Sequence, residues 1–378
     1  MDKHSFYPFK RWLSMLSFVV GMALCANAES VQIDGLYYEL NTSARTATVT
    51  YESTTTSNYS SLPVNVVIPQ TVTYNNVSFT VTAVSDQAFA NCKALESISV
   101  PGSVTQVGTT MESQDGDYLP FYNCTALKSV RFEDGASTLY LGASYYTSSS
   151  YSKGLFYFCP LEEVYLGRNI AYNNYTSRYP FSSDPNYYGY SAFYNQPKLA
   201  KVTIGENVTK IPIHAFRHCT ALSTVSFGNS LTSIPKYAFY NCEISSIDLP
   251  SSVTEIGEYA FYQNTALTSA NLGTSVTTIG EYAFYNASNL KNLEMGNVIE
   301  SIGEYCFYGS GLESISLPNS VTSIGQYALA YSSTLKSVTL SNSVNSIGDY
   351  ALANNTGLTS VTFGNGCKTL PTAILTQL

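Results

Sequence analysis

One phrase recurs almost letter for letter along the C-terminal half of the chain: IGEYAFYN, then a short Leu-led alternating segment, then SVTSI. Aligned on the Phe of its Ala-Phe pair, it falls at Phe193, Phe216, Phe239, Phe261, Phe284 and Phe307, then at Leu329 and Leu352. The steps are 22 or 23 residues. Degenerate copies at Phe89, Phe121 and Phe156 bring the total to eleven. A unit this short cannot bury its own apolar face and must stack on its neighbours. The 378 residues therefore read as one elongated body, not as the two or three domains that length alone suggests.

Each coil can be parsed by period. About six residues after the aligned Phe comes an apolar residue (Leu222, Leu267, Leu290, Leu335), opening a period-2 triplet such as Leu312/Ile315/Leu317 that reads as a short strand. Pro101, Pro250 and Pro318 close such strands, because proline cannot donate to a ladder. A second short segment buries Val321 and Ile324. A glycine (Gly257, Gly280, Gly303, Gly325, Gly348) then breaks the chain, and EYAFYN is predicted as a helical turn. The expected class is an α/β repeat solenoid, a right-handed leucine-rich-repeat superhelix of about eleven ~23-residue coils over residues 81–378. Residues 29–80 lack the period but alternate (IDGLYYELN, TATVTY, NNVSFTVTAV), which predicts a β-rich N-terminal cap over the exposed apolar end. AILTQL, at the other end, reads as a degraded half-repeat.

Residues 1–28 stand apart. Lys3, Lys10 and Arg11 precede an apolar run from Trp12 to Cys25, followed by Ala26-Asn27-Ala28, the pattern of a cleaved signal peptide. The run is too short to span a bilayer, and no later run reaches the required ~20 residues. The chain is expected to be secreted or displayed at the cell surface. With 18 Lys+Arg against 26 Asp+Glu and a net charge of −8, it has no basic stripe for nucleic acid. Three histidines leave little room for His-based catalysis or zinc.

The unit LxxIxLPxSVTxIGxYAFxxC, together with the opening DGLYYELNTSARTATVTY, resembles the BspA-like leucine-rich repeat family of exported or surface-displayed bacterial proteins. The resemblance covers residues from about 81 to 378. It implies a solenoid used for adhesion or host-protein binding. It supplies no fixed binding residue to carry over.

What is individual to this chain is a set of three insertions. The steps Phe89–Phe121, Phe121–Phe156 and Phe156–Phe193 are 32, 35 and 37 residues, and the excess sits between the second strand and the Ala-Phe turn. The insertions lie near 109–119, 143–155 and 171–191 and together hold ten Tyr and ten Ser but only six charges. Tyr with Ser, Gly and Asn gives amphipathic contact area at low rotamer cost, the chemistry of antibody-like paratopes. Tyr118, Tyr145, Tyr146, Tyr151, Tyr172, Tyr175, Tyr179, Tyr187, Tyr188 and Tyr190 are the candidate binding residues. Drifted loop filler is the bland reading. The partner expected is an extracellular host or neighbouring-cell protein, or a glycan. In the regular coils Tyr237, Tyr259, Tyr282, Tyr305, Tyr327 and Tyr350 share one slot, and Tyr240, Tyr262, Tyr285 and Tyr308 another. Such ladders could carry glycans but more often shield a core edge.

Cys92, Cys124, Cys159, Cys219 and Cys242 all stand three residues after the aligned Phe, and Cys306 replaces the Ala. A recurring core slot is expected to hold small buried hydrophobes. His214 and His218, four apart, would share a face of a helical turn but lack patterned further metal ligands. Glu112, Asp115 and Asp117 form only a fragment of a calcium loop. No metal, cofactor or catalytic site is predicted.

Overall fold

The computed structural model describes residues 30–52, 59, 61–109, 111–112, 119–142, 144–145, 154–172, 191–368, 370–371, 373–374 and 376. The alternating triplets form the first wall. Strands Asn65–Val67, Ser97–Val100, Ser129–Phe132, Glu163–Leu166, Lys201–Ile204 and Thr224–Phe227 pair in parallel. Two three-stranded sheets, from Ser246–Asp248 to Asn292–Glu294 and from Ser314–Ser316 to Ser360–Thr362, continue that wall. The two interruptions coincide with coils in which five residues, not six, separate the aligned Phe from the next core aliphatic (Phe239 to Ile244, Phe307 to Leu312).

The second wall is built from the SVTSI segments. Val77–Val84, Gln106–Val107, Leu139–Leu141 and Ile170–Tyr172 pair in parallel. A second sheet runs from Ser233–Ile234 to Ser346–Ile347. Between these sheets the Asn169 side chain spans the gap, its Oδ1 accepting from the backbone N–H of Thr209 at 2.9 Å and of Lys210 at 3.1 Å. The N-terminal strands Val31–Ile33, Leu36–Asn41 and Thr46–Thr50 form an antiparallel meander whose last member joins Val77–Val84 in parallel. Both walls thus reach back into the segment before residue 81, through Asn65–Val67 and Val77–Val84.

The turn segment corrects the α/β assignment. Among the described residues no helix forms. The Ala-Phe segment instead carries left-handed residues at two positions four apart. Two residues after the aligned position stand Asn91, Asn123, Phe158, Asn195, His218, Asn241, Gln263, Asn286, Gly309, Tyr331 and Asn354, all at φ between 52° and 65°. Two residues before it, Gln87, His214, Tyr237, Tyr259, Tyr282, Tyr305, Tyr327 and Tyr350 lie between 53° and 61°.

Along this segment the N–H groups fall into two alternating sets. Ala260, Tyr262 and Asn264 donate three residues back, to Gly257, Tyr259 and Phe261, at 3.3 Å. Tyr259, Phe261 and Gln263 donate to the next coil, to Glu281, Ala283 and Tyr285, at 2.8–2.9 Å. The turn is therefore a third wall, hydrogen-bonded coil to coil like the two sheets, and it satisfies backbone groups that a single helical turn would leave orphaned.

Between the walls lies one continuous apolar column. Phe89, Phe121, Phe156, Phe193, Phe216, Phe239, Phe261, Phe284 and Phe307 are all fully buried, with successive rings stacked 5.2–5.6 Å apart. The glycines before the turn are demanded by packing. A Cβ on Gly280 would stand 2.6 Å from the backbone nitrogen of Glu258 in the preceding coil.

Candidate functional site

The insertions leave the body at one corner, between the second wall and the turn wall. Thr109, Gly142 and Tyr172 mark where they depart, and Leu119, Gly154 and Ser191 where they return. At the base of the first two, Met111–Glu112 pairs in parallel with Ser144–Tyr145, in the register Ser144 to Met111 and Tyr145 to Glu112. The coil-to-coil ladder therefore continues past the body to Met111–Glu112 and Ser144–Tyr145, at the base of these two insertions.

Of the ten candidate tyrosines, Tyr118, Tyr146, Tyr151, Tyr175, Tyr179, Tyr187, Tyr188 and Tyr190 lie outside the described residues, and Tyr145 is placed through its strand. Tyr172 is half-buried at the root of the third insertion, its hydroxyl 3.0 Å from Ser191 Oγ at the insertion's return. Ser191 Oγ in turn donates to Ala215 O in the next coil at 2.8 Å. Burial raises the Tyr172 phenol pKa. Tyr172 thus pins the base of an insertion.

In the coils that follow, the same corner carries the tyrosine ladders. His214, Tyr237, Tyr259, Tyr282, Tyr305, Tyr327 and Tyr350 stack at 4.6–4.9 Å, each ring within 21° of the next. A second column, Tyr240, Tyr262, Tyr285 and Tyr308, stacks at 4.6–4.8 Å. Tyr331 extends it 4.8 Å beyond Tyr308, and the Arg217 guanidinium lies 4.2 Å over the Tyr240 ring. A centroid spacing near the ~4.8 Å strand separation leaves no room between rings. Interior faces of the ladders are consumed by neighbouring rings, and a sugar could reach only edges and hydroxyls.

His214 and His218 are four apart because the two left-handed slots are four apart, not because they share a helix face. His214 packs on Tyr237. Its burial, with Arg217 and Lys236 nearby, lowers its pKa to about 3. His218 Nδ1 sits 3.0 Å from Asn241 Nδ2. Among the described residues no group of three His, Cys, Asp or Glu could hold a metal.

The cysteine slot carries a role beyond small hydrophobe. The thiols of Cys124, Cys159, Cys219 and Cys242 donate to the carbonyl of the aligned Phe in the preceding coil at 3.0–3.2 Å. The bond persists with amide side chains in the slot, from Gln196 to Phe156 O at 3.2 Å, Asn264 to Phe239 O at 2.8 Å and Asn355 to Leu329 O at 2.9 Å, whereas Ser310 Oγ lies 3.0 Å from Ser332 Oγ. The exchange of Cys for Asn, Gln and Ser in one column was the available signal for a buried donor. Cys92, Cys124, Cys159, Cys219, Cys242 and Cys306 remain thiols.

Sequence reasoning also missed Arg168, which is fully buried. Its guanidinium donates to Pro101 O at 2.8 Å, Gly102 O at 2.7 Å and Val104 O at 2.6 Å. It passes Gly135, where a Cβ would lie 3.1 Å from Arg168 Cδ, and burial lowers its pKa to about 10. This ties together the coils that carry the insertions.

The chain matches the BspA type leucine rich repeat region, in six copies, over residues 65–150, 186–298 and 262–377. It belongs to the BspA-type leucine-rich repeat family. No curated protein sequence matches it. Among solved structures, it is similar to a leucine-rich cell surface protein from Faecalibacterium prausnitzii at 22% identity, covering 89% of this chain and 95% of that one with a TM-score of 0.41. A leucine-rich repeat protein from Bacteroides ovatus matches at 21% identity over 88% and 94%, TM-score 0.41. The pneumococcal vaccine antigen PcpA matches at 19% over 93% and 85%, TM-score 0.38. As a BspA-type chain, the protein carries the matched repeat over its regular coils and across the first insertion. Among the described residues no helix is long and apolar enough to cross a membrane.

Proposed function

We propose that this BspA-type protein is an exported, surface-presented binding protein without enzymatic activity, a right-handed solenoid of about eleven coils. Its recognition surface is the corner bearing the three Tyr-rich insertions, and its partner is an extracellular protein of a host or neighbouring cell. The observation that supports this reading is the pairing of Met111–Glu112 with Ser144–Tyr145, which puts the bases of two non-repeating segments side by side. Near-identical coils present a repeating surface, whereas the insertions differ from coil to coil, and extra loop length costs little entropy to retain. Membership of the family supports a binding role.

The alternative partner is a glycan held on tyrosine platforms, to which the stacked rings of the regular coils offer no free interior face. One preparation applied to a panel of extracellular-matrix proteins and to a glycan array separates the two. Saturable binding on the protein panel with a silent glycan array is the expected result, and the reverse would assign the insertions to sugars. N-terminal sequencing of the exported form, expected to begin near Glu29, tests the export.

A further inference from the structure

We propose that the paired tyrosine ladders are a site of oxidative modification, at which neighbouring coils become joined by intramolecular dityrosine bonds. Tyr259, Tyr282 and Tyr305 stack at 4.6 Å with their planes 5° apart. Tyr262, Tyr285 and Tyr308 stack at 4.8 Å within 8°. The registry that repeats the backbone also repeats the rings, so each ortho carbon faces its equivalent at about the centroid spacing. Two phenoxyl radicals formed there have their coupling partner already in place, an arrangement worth a large effective concentration. The rings are half-buried, open enough at their edges to meet an oxidant and held too firmly to reach another chain first.

The step balances with hydrogen peroxide and a haem peroxidase as the one-electron oxidant. Each tyrosine loses its O–H hydrogen as a proton and an electron. The two radicals form one carbon–carbon bond between ortho positions, and the two displaced ring protons move to the oxygens, restoring both phenols. The two electrons and two protons released reduce one hydrogen peroxide to two waters.

Among the described residues six of the seven thiols compete poorly, Cys367 near the C-terminal end being the partly exposed one. The thiols of Cys92, Cys124, Cys159, Cys219, Cys242 and Cys306 are all buried, and thiol oxidation follows thiolate character and exposure. Burial raises the pKa of Cys92 to about 12. The Phe column, parallel to the ladders, has no phenol to oxidise.

The test uses the positions of lysine in the chain. Cleavage after Lys236, Lys291 and Lys336 places Tyr282 and Tyr285 in peptide 237–291, and Tyr305 and Tyr308 in peptide 292–336. Dilute full-length protein is treated with a haem peroxidase and hydrogen peroxide, then digested with trypsin. The expected product is these two peptides covalently joined, two hydrogen atoms lighter than their sum, from protein that still migrates as a single chain. The joined pair should disappear when Tyr305→Phe and Tyr308→Phe are combined, which keeps the stack but removes the phenols. It should also disappear when the wild-type chain is oxidised in denaturant, a control that does not depend on the variant folding. Absence of the joined pair, dityrosine confined to insertion peptides, linkage between chains, or persistence of the pair in either control would overturn the proposal.

Discussion

Tyr282 holds a left-handed backbone at φ 55°, which costs a bulky L-residue about 1–3 kcal/mol. Two gains offset it: its N–H reaches Glu304 O at 2.8 Å, worth about 0.5–1.5 kcal/mol, and its ring stacks on both neighbours, worth about 0.5–1.5 kcal/mol per pair. The strain is thus held by the ladder, and the ordinary ranking of small residues should invert. Tyr282→Ala keeps the strain and loses the stack; Tyr282→Gly loses the stack but relaxes the backbone. We expect Gly to be the less destabilising of the two in urea unfolding, the opposite of their order in a helical turn. A comparable contrast is expected at Cys219, whose thiol donates to Phe193 O at 3.0 Å. Cys219→Val, which strands that carbonyl, should cost about 1–3 kcal/mol, and Cys219→Ser, which keeps a donor, less. His214, held neutral with its pKa lowered to about 3, contributes stability that is present above its ordinary value of 6.5 and lost as pH falls toward 3. An acid titration of unfolding should lose that component in His214→Tyr, which keeps a ring in that place of the ladder. The column of Cys, Asn, Gln and Ser, and the Asn recurring two residues after the Phe, were readable as a donor slot and as left-handed positions. Side-chain size and hydropathy mask both signals, since a sequence displays them more openly than it displays backbone sign.

The strands came directly from periodicity, since alternation with period 2 is set by the pleat and each coil repeats it. The third wall did not. EYAFYN has good helix formers and an apolar pair, so local propensity favoured a turn of helix, but the stacking of coils gave the chain a better partner for its N–H groups than its own carbonyls. Hydrogen bonding between coils overrode propensity. The ladders built on that wall make the element sensitive to alkali. Burial and the neighbouring phenols raise the pKa of Tyr262 and Tyr308 to about 12 from 10.0. A group whose pKa is raised by folding contributes stability that is complete below its unfolded value and lost as pH climbs through the folded one. Unfolding midpoints should therefore be flat up to about pH 10 and fall between pH 10 and 12. Replacing Tyr240, Tyr262, Tyr285 and Tyr308 together by Phe should remove much of that fall. Midpoints that decline equally in that variant would place the alkaline sensitivity elsewhere.

For the molecule as a whole, one apolar column and three hydrogen-bonded walls spread stability over many near-equivalent coils, each depending on its neighbours. Removing a single core ring, as in Phe261→Ala, should cost about 3–5 kcal/mol and loosen the coils on both sides. Loops that leave the column intact should cost little. The repeat and its order were legible because near-identical units announce themselves. The insertions were legible only as departures from the period, and their pairing at residues 111–112 and 144–145 needed the stacked coils to become visible. The central claim is that the body is scaffold and the insertion corner recognises the partner. It is tested most directly by trimming the segments 109–119, 143–155 and 171–191 to the regular coil length and comparing full and trimmed chains on the same panel of extracellular-matrix proteins. An unfolding midpoint close to that of the full chain, together with loss of binding, is the expected result. A trimmed chain that binds with undiminished affinity would contradict it and move recognition onto the regular coils.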